Sequence, residues 1–315
     1  MSIVGQTFSD WELIVVDDGS TDGSLKGLIE RNRDDRVRMI EHGENRGGAA
    51  ALTTAFKQSS GSLVAIIDAD DRALPTRLET QIQVMRADSA IGIVSCEARF
   101  IDAKGDFMGR KDSLYRREDI AGDSNFFFYM LHPGMLIRRE VLIEFGYREE
   151  FTFAWDFDLL TRVVERHAVV VLPIELMEYR IHDESIGVSA QVAQETYNCA
   201  VRIITARRRA GLEERLVETT DAAASMIANG VPIGRIYRRF AKLALDEGFV
   251  ICAALHARLA LGRELCPSAI WMFVVSLIRG YWENPKQLRR LMREWRDIPV
   301  TALMESIGFP RRPHF

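Results

Sequence analysis

The stretch "ELIVVDDGSTDGS", Glu12–Ser24, passes from four apolar residues directly into two adjacent aspartates. An apolar run this short and this continuous favours a strand that is covered on both faces. Three similar runs follow, each separated from the previous one by a segment with helical periodicity: "VRMIE", "LVAIID" and "IGIVSC". Strands that alternate with helices predict the α/β class, with an open, mostly parallel sheet flanked by helices.

The pattern changes near residue 190. From Gln191 onward the sequence is typical of helices alone, with breaks at glycine and proline residues such as Gly211, Gly230 and Pro285. We therefore predict an α/β domain over residues 1–190 and an all-helical C-terminal region over residues 191–315.

Composition is typical of a globular protein of the cytoplasm. The chain has 315 residues, 47% of them hydrophobic, and its four cysteines show neither close pairing nor the spacing of metal ligands. The chain does not open with the charged and then apolar segments of a secretory signal. The apolar run Ala269–Ile278 is about half as long as a membrane-spanning helix.

The net charge of −4 hides an asymmetry between the two parts of the chain. Residues 200–315 carry 19 Lys and Arg against 11 Asp and Glu, which leaves a charge of −12 for residues 1–199. The acidic N-terminal part is compatible with a bound cation, and the basic C-terminal part is compatible with binding to an anionic surface. Solvated helix faces explain the basic residues equally well. We expect no nucleic-acid partner.

One basic segment, "NPKQLRRLMREWRD" at residues 284–297, has the pattern of a helix that lies on an anionic membrane. Leu288, Leu291 and Trp295 share an apolar face, and basic residues cover another face. This pattern predicts peripheral contact with the inner membrane face. Packing of the apolar face on the rest of the protein is the alternative.

Acidic residues follow two of the predicted strands. Asp17 and Asp18 end the first strand, and Asp68, Asp70 and Asp71 follow the run "LVAII". Ligands of open parallel sheets bind at the carboxyl ends of the strands, where these five side chains converge. Because close carboxylates repel each other, we expect a bound cation, and oxygen ligands suit Mg²⁺ or Mn²⁺.

The stretch "DDGSTDGS" has two other interpretations. Asp18, Ser20 and Asp22 match the first ligands of a calcium-binding EF-hand loop, but Ile29 stands where that loop requires a glutamate. Turn and cap chemistry accounts for residues 19–22 without any ligand, and this alternative stays open for them.

Six blocks of the sequence occur in the order found in one enzyme family: "QTFSDWELIVVDDGSTDGS", "ENRGGAAAL", "IIDADDRALPTRLETQ", "PGMLIRREVL" with "GY", "AWDFDLLTRV" and "YRIHDES". Over residues 2–189 the chain resembles the inverting family 2 glycosyltransferases of the GT-A fold. The resemblance implies transfer of a sugar from a UDP- or dTDP-sugar donor to a glycan or lipid-linked acceptor. It also implies Mn²⁺ or Mg²⁺ on the donor diphosphate.

The resemblance implies roles for the acidic residues at the strand ends. Asp17 or Asp18 would contact the base and ribose of the donor. Asp68 and Asp70 would form the family's D-x-D site, with Asp70 on the metal, and Asp71 would support that site.

Asp156 would be the general base, and Trp155 stands where the family commonly has glutamate. Helical spacing agrees, since Asp156 shares a face with Leu159 and Leu160, whereas Asp158 is expected to face water. A carboxylate at the edge of an apolar face can accept the proton of an acceptor hydroxyl. The alternative is a helix N-terminal aspartate that binds free backbone N–H groups.

Two histidines and one arginine complete the candidate residues. His182, in "YRIHDES", is a candidate metal ligand or diphosphate donor, and Arg180 can pair with a phosphate bidentately. His132 and Trp155 are candidates for the acceptor side. A structural role is the alternative for each histidine.

The chain opens with "MSIVGQTF", whereas family members usually begin with a strand that reads like "VSVIIPTYN". That strand is central to the family's sheet, so we expect open strand edges and a smaller nucleotide pocket. Two explanations are open, a start codon placed too late or a degraded family member. The second predicts a non-catalytic sugar-nucleotide-binding or scaffold protein as the alternative function.

Overall fold

The computed structural model describes residues 2–21, 23, 27, 34–110, 130–183, 185, 189–261, 263 and 266–283. The predicted membrane-surface segment, residues 284–297, lies outside these residues, as does most of the helix expected after Ser20. Among the helices that are described, each is too short or too polar to cross a membrane.

The first 110 residues place short strands and helices in alternation: β1 (Leu13–Asp17), β2 (Val37–Glu41), α1 (Gly48–Gln58), β3 (Leu63–Ala65), β4 (Arg72–Ala73), α2 (Arg77–Ala87), β5 (Ile91–Ile101) and β6 (Phe107–Arg110). After a 3₁₀ turn the α/β part continues with β7 (Leu136–Arg138), α3 (Arg139–Phe145), α4 (Trp155–Val163) and β8 (Ala168–Arg180). The described part of the chain from Gln191 onward is helical: α5 (Gln191–Arg209), α6 (Leu216–Ala228), α7 (Ile233–Asp246), α8 (Val250–Leu261) and α9 (Pro267–Glu283). The predicted change to helices is confirmed.

The strands form two sheets. β1 and β2 are a parallel pair in which Leu13 lies beside Val37 and Asp17 beside Glu41. The larger sheet has the order β3-β7-β5-β8-β4, with β6 paired to β5. In it β5 and β8 run parallel, whereas every other described pairing is antiparallel.

The predicted α/β class is confirmed, but the strand directions are mixed rather than mostly parallel. The predicted and observed strand directions differ because some strands are too short to be recognised as apolar runs. Leu136–Arg138 has three residues and inserts between β3 and β5, antiparallel to both. Arg72–Ala73 has two residues and pairs with the far end of β8.

A cavity of about 1550 Å³ lies within the α/β part. Residues 13–16 of β1 and residues 63–67, which include β3, line it with mostly apolar side chains. Among the described strands β1 pairs only with β2, and β3 pairs only with β7. Each therefore has an edge that no described strand covers. The cavity extends to the acidic residues 68–71 and to Asp156.

Helix α2 packs on the larger sheet through Leu78, Ile82 and Met85, which recur at helical spacing. These buried side chains contact Ile91 and Leu136. Each buried aliphatic side chain of this size stabilises the fold by roughly 1.5–3 kcal/mol. The contact therefore fixes the start of α2 and, with it, the acidic loop that precedes the helix.

The chain divides into two compact units, Met1–Ile227 and Ala228–Phe315. Helix α5 and most of α6 belong to the unit that contains both sheets. In the second unit, α7, α8 and α9 share a core that includes Ala241, Ala257 and Phe273. The predicted division at residue 190 follows the change of secondary structure, and it stays a prediction.

Candidate active site

Three carboxylates form a tight cluster in the turn after β3. Each of Asp68, Asp70 and Asp71 offers an oxygen, and these oxygens lie within 4.8 Å of one another. The backbone N–H of Asp71 donates to the carbonyl of Asp68 at 3.2 Å, which closes the turn. The predicted convergence of five acidic side chains is therefore present for these three, whereas Asp17 and Asp18 belong neither to this cluster nor to the residues that line the cavity.

The environment of the cluster favours proton or cation binding. Burial raises the pKa of Asp71 to about 7, and the charges of Asp68 and Asp70 add to the effect. Asp68 lies deep in the cavity although solvent reaches it. Burial, followed by the charges of Asp70 and Asp156, raises the pKa of Asp68 to about 6.

Asp71 has one oxygen that the fold satisfies and one that it leaves open. The backbone N–H of Arg180 donates to Oδ1 at 2.8 Å. Oδ2 is buried and has no hydrogen-bond partner in the described part of the chain. A buried carboxylate oxygen without a donor is unfavourable. Together with the adjacent carboxylates it provides the oxygen ligands that Mg²⁺ and Mn²⁺ prefer, so the residues present fit such an ion.

His182 and Arg180 approach the cluster from the end of β8. His182 Nε2 lies 3.0 Å from Asp70 Oδ2, so the structure brings this candidate ligand to the site. The Arg180 side chain donates to the carbonyl oxygens of Asp70 and Asp102, at 2.8 and 2.7 Å. These bonds brace the loop behind the cluster, which favours a structural role for the guanidinium over direct phosphate contact.

Arg77 stands behind the cluster and was not among the predicted site residues. It is 1% exposed, and its guanidinium donates to the carbonyls of Ile66 and Met135, at 2.7 and 3.3 Å. Its charge opposes the upward pKa shifts of Asp68 and Asp71. The sequence contains no periodic signal for this role, because it depends on the carbonyl of Met135, 58 positions away.

Asp17 and Asp18 lie at the end of β1, at the carboxyl edge that they share with β2. The backbone N–H of Ser20 donates to Asp17 Oδ1 at 2.8 Å, which is the turn chemistry left open for this stretch. Asp18 accepts from the backbone N–H groups of Arg46 and Gly47, at 3.0 and 2.7 Å. Asp18 therefore ties the end of β1 to the start of α1.

His42 is a further neighbour of Asp18 that sequence reasoning missed. Its Nδ1 lies 2.6 Å from Asp18 Oδ1, and its Nε2 lies 2.9 Å from Thr54 Oγ1. Although burial alone would raise it, the hydrogen bonds from His42 and two backbone amides lower the pKa of Asp18. His42 directly follows β2, so the rule that ligand-binding residues follow strands could have identified it.

Gly19 is needed where β1 and the loop before α1 meet. Its φ of +89° is in the region that favours glycine. A Cβ at this position would lie 2.9 Å from the backbone nitrogen of Asn45. A larger residue would therefore separate Asp18 from its amide donors.

Asp156 is the second residue of α4 and lines the same cavity as the acidic cluster. The backbone N–H of Phe157 donates to its Oδ1 at 2.8 Å. Burial raises the pKa of Asp156. A partly exposed carboxylate whose basicity is increased in this way can accept a proton from a bound hydroxyl.

The prediction that Asp158 faces water is wrong. Asp158 is 0% exposed, and its Oδ2 accepts from Arg162 Nε and Nη2 at 2.9 and 2.6 Å. Arg148 Nη1 lies 3.5 Å from its Oδ1. Helix α4 is buried on both faces, so its polar face packs on ionic partners instead of solvent.

His132 and Trp155 belong to an aromatic cluster beside Asp156. The His132 and Trp155 rings meet edge to face at 4.7 Å, and His132 Nε2 lies 3.0 Å from the Tyr147 hydroxyl. Burial lowers the pKa of His132 to about 3, so the ring is neutral. All three residues line the cavity. Tyr147, from the motif "GY", is a further residue that lines the cavity.

The chain is similar in sequence to known glycosyltransferases. The family described as "Glycosyl transferase family 2" matches residues 1–146. An uncharacterized glycosyltransferase of Methanocaldococcus jannaschii is 28% identical over 204 residues, which cover 62% of this chain and 69% of that protein. The UDP-Glc:alpha-D-GlcNAc-diphosphoundecaprenol beta-1,3-glucosyltransferase WfgD of Escherichia coli is 37% identical over 84 residues, covering 27% of this chain and 33% of that enzyme.

Solved structures show the same fold. S. aureus TarS, residues 1–349 in complex with UDP, superposes with a TM-score of 0.57 at 16% identity, over 90% of this chain and 86% of that one. The ligand-free form of the same fragment gives 0.59 at 15% identity. The sequence matches show that residues 1–146 are similar to glycosyl transferase family 2, and the superpositions show the GT-A fold.

Proposed function

We propose that this protein transfers a sugar from a nucleotide-diphosphate donor, a UDP- or dTDP-sugar, to a hydroxyl of a glycan or lipid-linked acceptor. The observation that carries the proposal is one cavity that contains both the Asp68–Asp71 cluster and Asp156. The cluster suits a divalent ion on the donor diphosphate, and Asp156 suits proton removal. The names of two similar proteins, which include UDP and UDP-Glc, support a uridine donor.

In this proposal Asp70 and His182 hold Mn²⁺ or Mg²⁺, and Asp68 and Asp71 bind alongside them. The open Oδ2 of Asp71 is the observation that favours the ion. When bound, the metal neutralises the charge that grows on the departing diphosphate. Arg77 holds the end of β3 through the Ile66 carbonyl, and so it orients the carboxylates.

Asp156 is proposed as the general base. Its raised pKa makes it a better proton acceptor than an exposed aspartate. Its place at the start of α4 directs it into the cavity beside Trp155 and His132. If the acceptor oxygen attacks the anomeric carbon as Asp156 takes its proton, one displacement occurs, and the configuration inverts.

Asp17 and Asp18 are proposed to contact the base and ribose of the donor. The contact between Asp18 and His42 supports this role, because it fixes the Asp18 carboxylate at the strand edge.

A non-catalytic sugar-nucleotide-binding protein is the second candidate. The edges of β1 and β3 that no described strand covers favour it, because they leave the wall of the cavity between these strands incomplete. Hydrolysis of a donor panel, with UDP- and dTDP-sugars, in Mn²⁺ or in EDTA separates the two candidates. We expect metal-dependent release of UDP or dTDP from at least one donor, and binding without release would instead support the second candidate.

Contact with an anionic membrane stays a prediction that rests on residues 284–297 alone. Co-sedimentation with vesicles of anionic phospholipid at low salt tests it. Pelleting that 0.5 M salt reverses is expected. Absence of pelleting at low salt would contradict it.

A further inference from the structure

Helix α5 presents a row of amide side chains to the cavity. Gln191, Gln194 and Asn198 recur three and four residues apart, so they share one face of the helix with Glu195. All four residues line the cavity that contains Asp156. This amide face, defined as Gln191, Gln194 and Asn198, is therefore one wall of the candidate active site.

The fold does not satisfy these amides. None of the three side chains makes a hydrogen bond with another residue in the described part of the chain. Asn198 is only 4% exposed, yet it borders the cavity. The amide atoms of Asn198 are not among the fully buried side-chain atoms that lack a partner, so they are accessible from the cavity. The amide face therefore has hydrogen-bonding capacity available to a molecule in the cavity.

A neighbouring side of α5 contacts the segment that leads into α4. The Tyr197 ring contacts the rings of Phe151 and Phe153, with centroids 6.3 and 6.0 Å apart. The Tyr197 hydroxyl lies 3.4 Å from Thr152 Oγ1. Asp156 lies four residues after Thr152 in the sequence. These contacts therefore hold the amide face in a fixed position relative to Asp156.

The chemistry of this wall indicates its ligand. A side-chain amide both donates and accepts, as neighbouring sugar hydroxyls require. Phe153 and Trp155 add apolar ring surface to the same cavity. Among the described residues from 147 to 198 that line the cavity, none is Lys or Arg, so this wall lacks the cations that phosphate groups need.

We propose that the amide face binds the acceptor as a neutral saccharide ring and that it determines acceptor specificity. The proposal rests on the proposed glycosyl transfer and adds the chemical class of the acceptor at the reacting end. A lipid or diphosphate carried by the acceptor would lie away from this wall.

Binding of simple saccharides tests the proposal independently of turnover. The probes are p-nitrophenyl glycosides of glucose, galactose, N-acetylglucosamine and N-acetylgalactosamine, measured by saturation-transfer NMR on the full chain. We expect at least one to bind, and we expect Asn198→Leu to weaken it by at least about tenfold. Gln194→Ala is a second variant at a half-buried position, where the fold does not depend on the side chain.

Gln83→Ala is the matched control, because Gln83 is an exposed amide on α2 and does not line the cavity. Asn198→Leu should keep or raise the melting temperature, since it removes a buried amide that has no partner. Binding that is unchanged in both amide-face variants, or absent for every glycoside in the wild type, would overturn the proposal.

Turnover separates this proposal from the proposed function. In Gln194→Ala, transfer to the bound glycoside should fall by at least about tenfold more than hydrolysis of the donor by water. Preferred transfer to undecaprenyl phosphate over every glycoside would contradict the amide-face proposal. A wild-type protein that binds glycosides but neither binds nor hydrolyses any donor would contradict the proposed function instead.

Discussion

Two sets of acidic residues in the α/β unit differ in what neutralises them. Asp158 is sealed from solvent and has its charge matched by Arg162 and Arg148. By contrast, no Arg or Lys side chain in the described part of the chain forms an ion pair with the Asp68–Asp71 cluster. Each has one buried carboxylate oxygen without a hydrogen bond, Asp158 Oδ1 and Asp71 Oδ2, but only Asp158 has arginine side chains beside it.

This difference distinguishes charged side chains that stabilise the fold from charged side chains that are available to a ligand. Arg162 also donates to the carbonyl of Gly146 at 2.8 Å, so the Asp158 pair connects α4 to the end of α3. Arg148 extends the network to Glu214, in the loop before α6. The acidic cluster is connected to the end of β8 through the backbone N–H of Arg180 and through His182. Burial raises the pKa of Asp158 as it raises those of Asp68 and Asp71, so the difference lies in the arginine partners. An acidic motif is therefore informative about function only once its partners are known.

Asp156 and Asp158 lie on one helix and allow the sharpest form of the comparison. Asp156→Asn should reduce sugar transfer by about 10²–10⁴-fold, because the acceptor proton then has no base. Steady-state kinetics measures this loss, and the dissociation constant for UDP should stay within about twofold. Asp221→Asn, at an exposed position of α6, is the control and should leave transfer unchanged. Retained transfer with weakened UDP binding would assign Asp156 to the donor instead.

The same substitution at Asp158 should reduce the stability of the fold rather than act through the acceptor proton. Asp158→Asn leaves Arg162 buried without its counter-ion, which is expected to lower the free energy of unfolding by about 3–5 kcal/mol. Urea unfolding followed by circular dichroism measures the change. A loss below about 1 kcal/mol would show that solvent already screens this pair.

The pH dependence of stability should reveal the unmatched charges of the acidic cluster. The pKa of Asp71 is about 7 in the folded protein, against 3.8 for an ordinary aspartate. Between about pH 4 and 7 the folded state thus binds more protons than the unfolded state, so stability falls as pH rises through this window and levels off above it. The contribution of Asp71 is on the order of 4 kcal/mol at most.

Metal-free protein is required for that measurement, by thermal unfolding in EDTA across the window. Addition of Mn²⁺ at pH 7.5 should raise the melting temperature, because the ion replaces the lost protons. Asp71→Asn should remove most of the slope between pH 5 and 7. A melting temperature that rises steadily from pH 5 to 7 would contradict the raised pKa of Asp71.

A surface ion pair gives the smallest expected effect. Arg215 Nε and Glu218 Oε2 lie 3.8 Å apart, and both side chains are largely exposed. Glu218→Gln should change the free energy of unfolding by less than about 0.5 kcal/mol, because water and salt screen such pairs. Urea unfolding of Glu218→Gln in parallel with Asp158→Asn compares an exposed ion pair with a buried one. It tests whether burial of an ion pair determines how much its loss changes the free energy of unfolding.

Sequence reasoning found the parts of the site that follow long apolar runs. Asp68 and Asp70 come directly after such a run, and their position was sufficient to select them as candidates. Asp156 shares a helix face with leucines, and helical periodicity was sufficient to select it. Arg77 and His42 were missed because their roles depend on contacts with residues distant in sequence, such as the carbonyl of Met135.

The errors of the fold prediction have the same origin. β7 has three residues and pairs with β3 and β5, which are 75 and 44 positions before it at the register pairs Leu63–Arg138 and Ile93–Ile137. Such pairings leave little periodic signal in the chain, so strand direction could not be predicted. Asp158 was placed in water because helical periodicity cannot distinguish a solvated polar face from one that packs on arginines.

The central claim is that the Asp68–Asp71 cluster binds a divalent ion together with the diphosphate of a nucleotide. Isothermal titration of UDP and dTDP into the full chain, with Mn²⁺ or with EDTA, tests it most directly, and Asp70→Asn serves as the matched variant. The account predicts that Mn²⁺ tightens binding of at least one of the two by about tenfold or more, and that Asp70→Asn abolishes this gain. Equal binding with and without Mn²⁺, unchanged in Asp70→Asn, would contradict it.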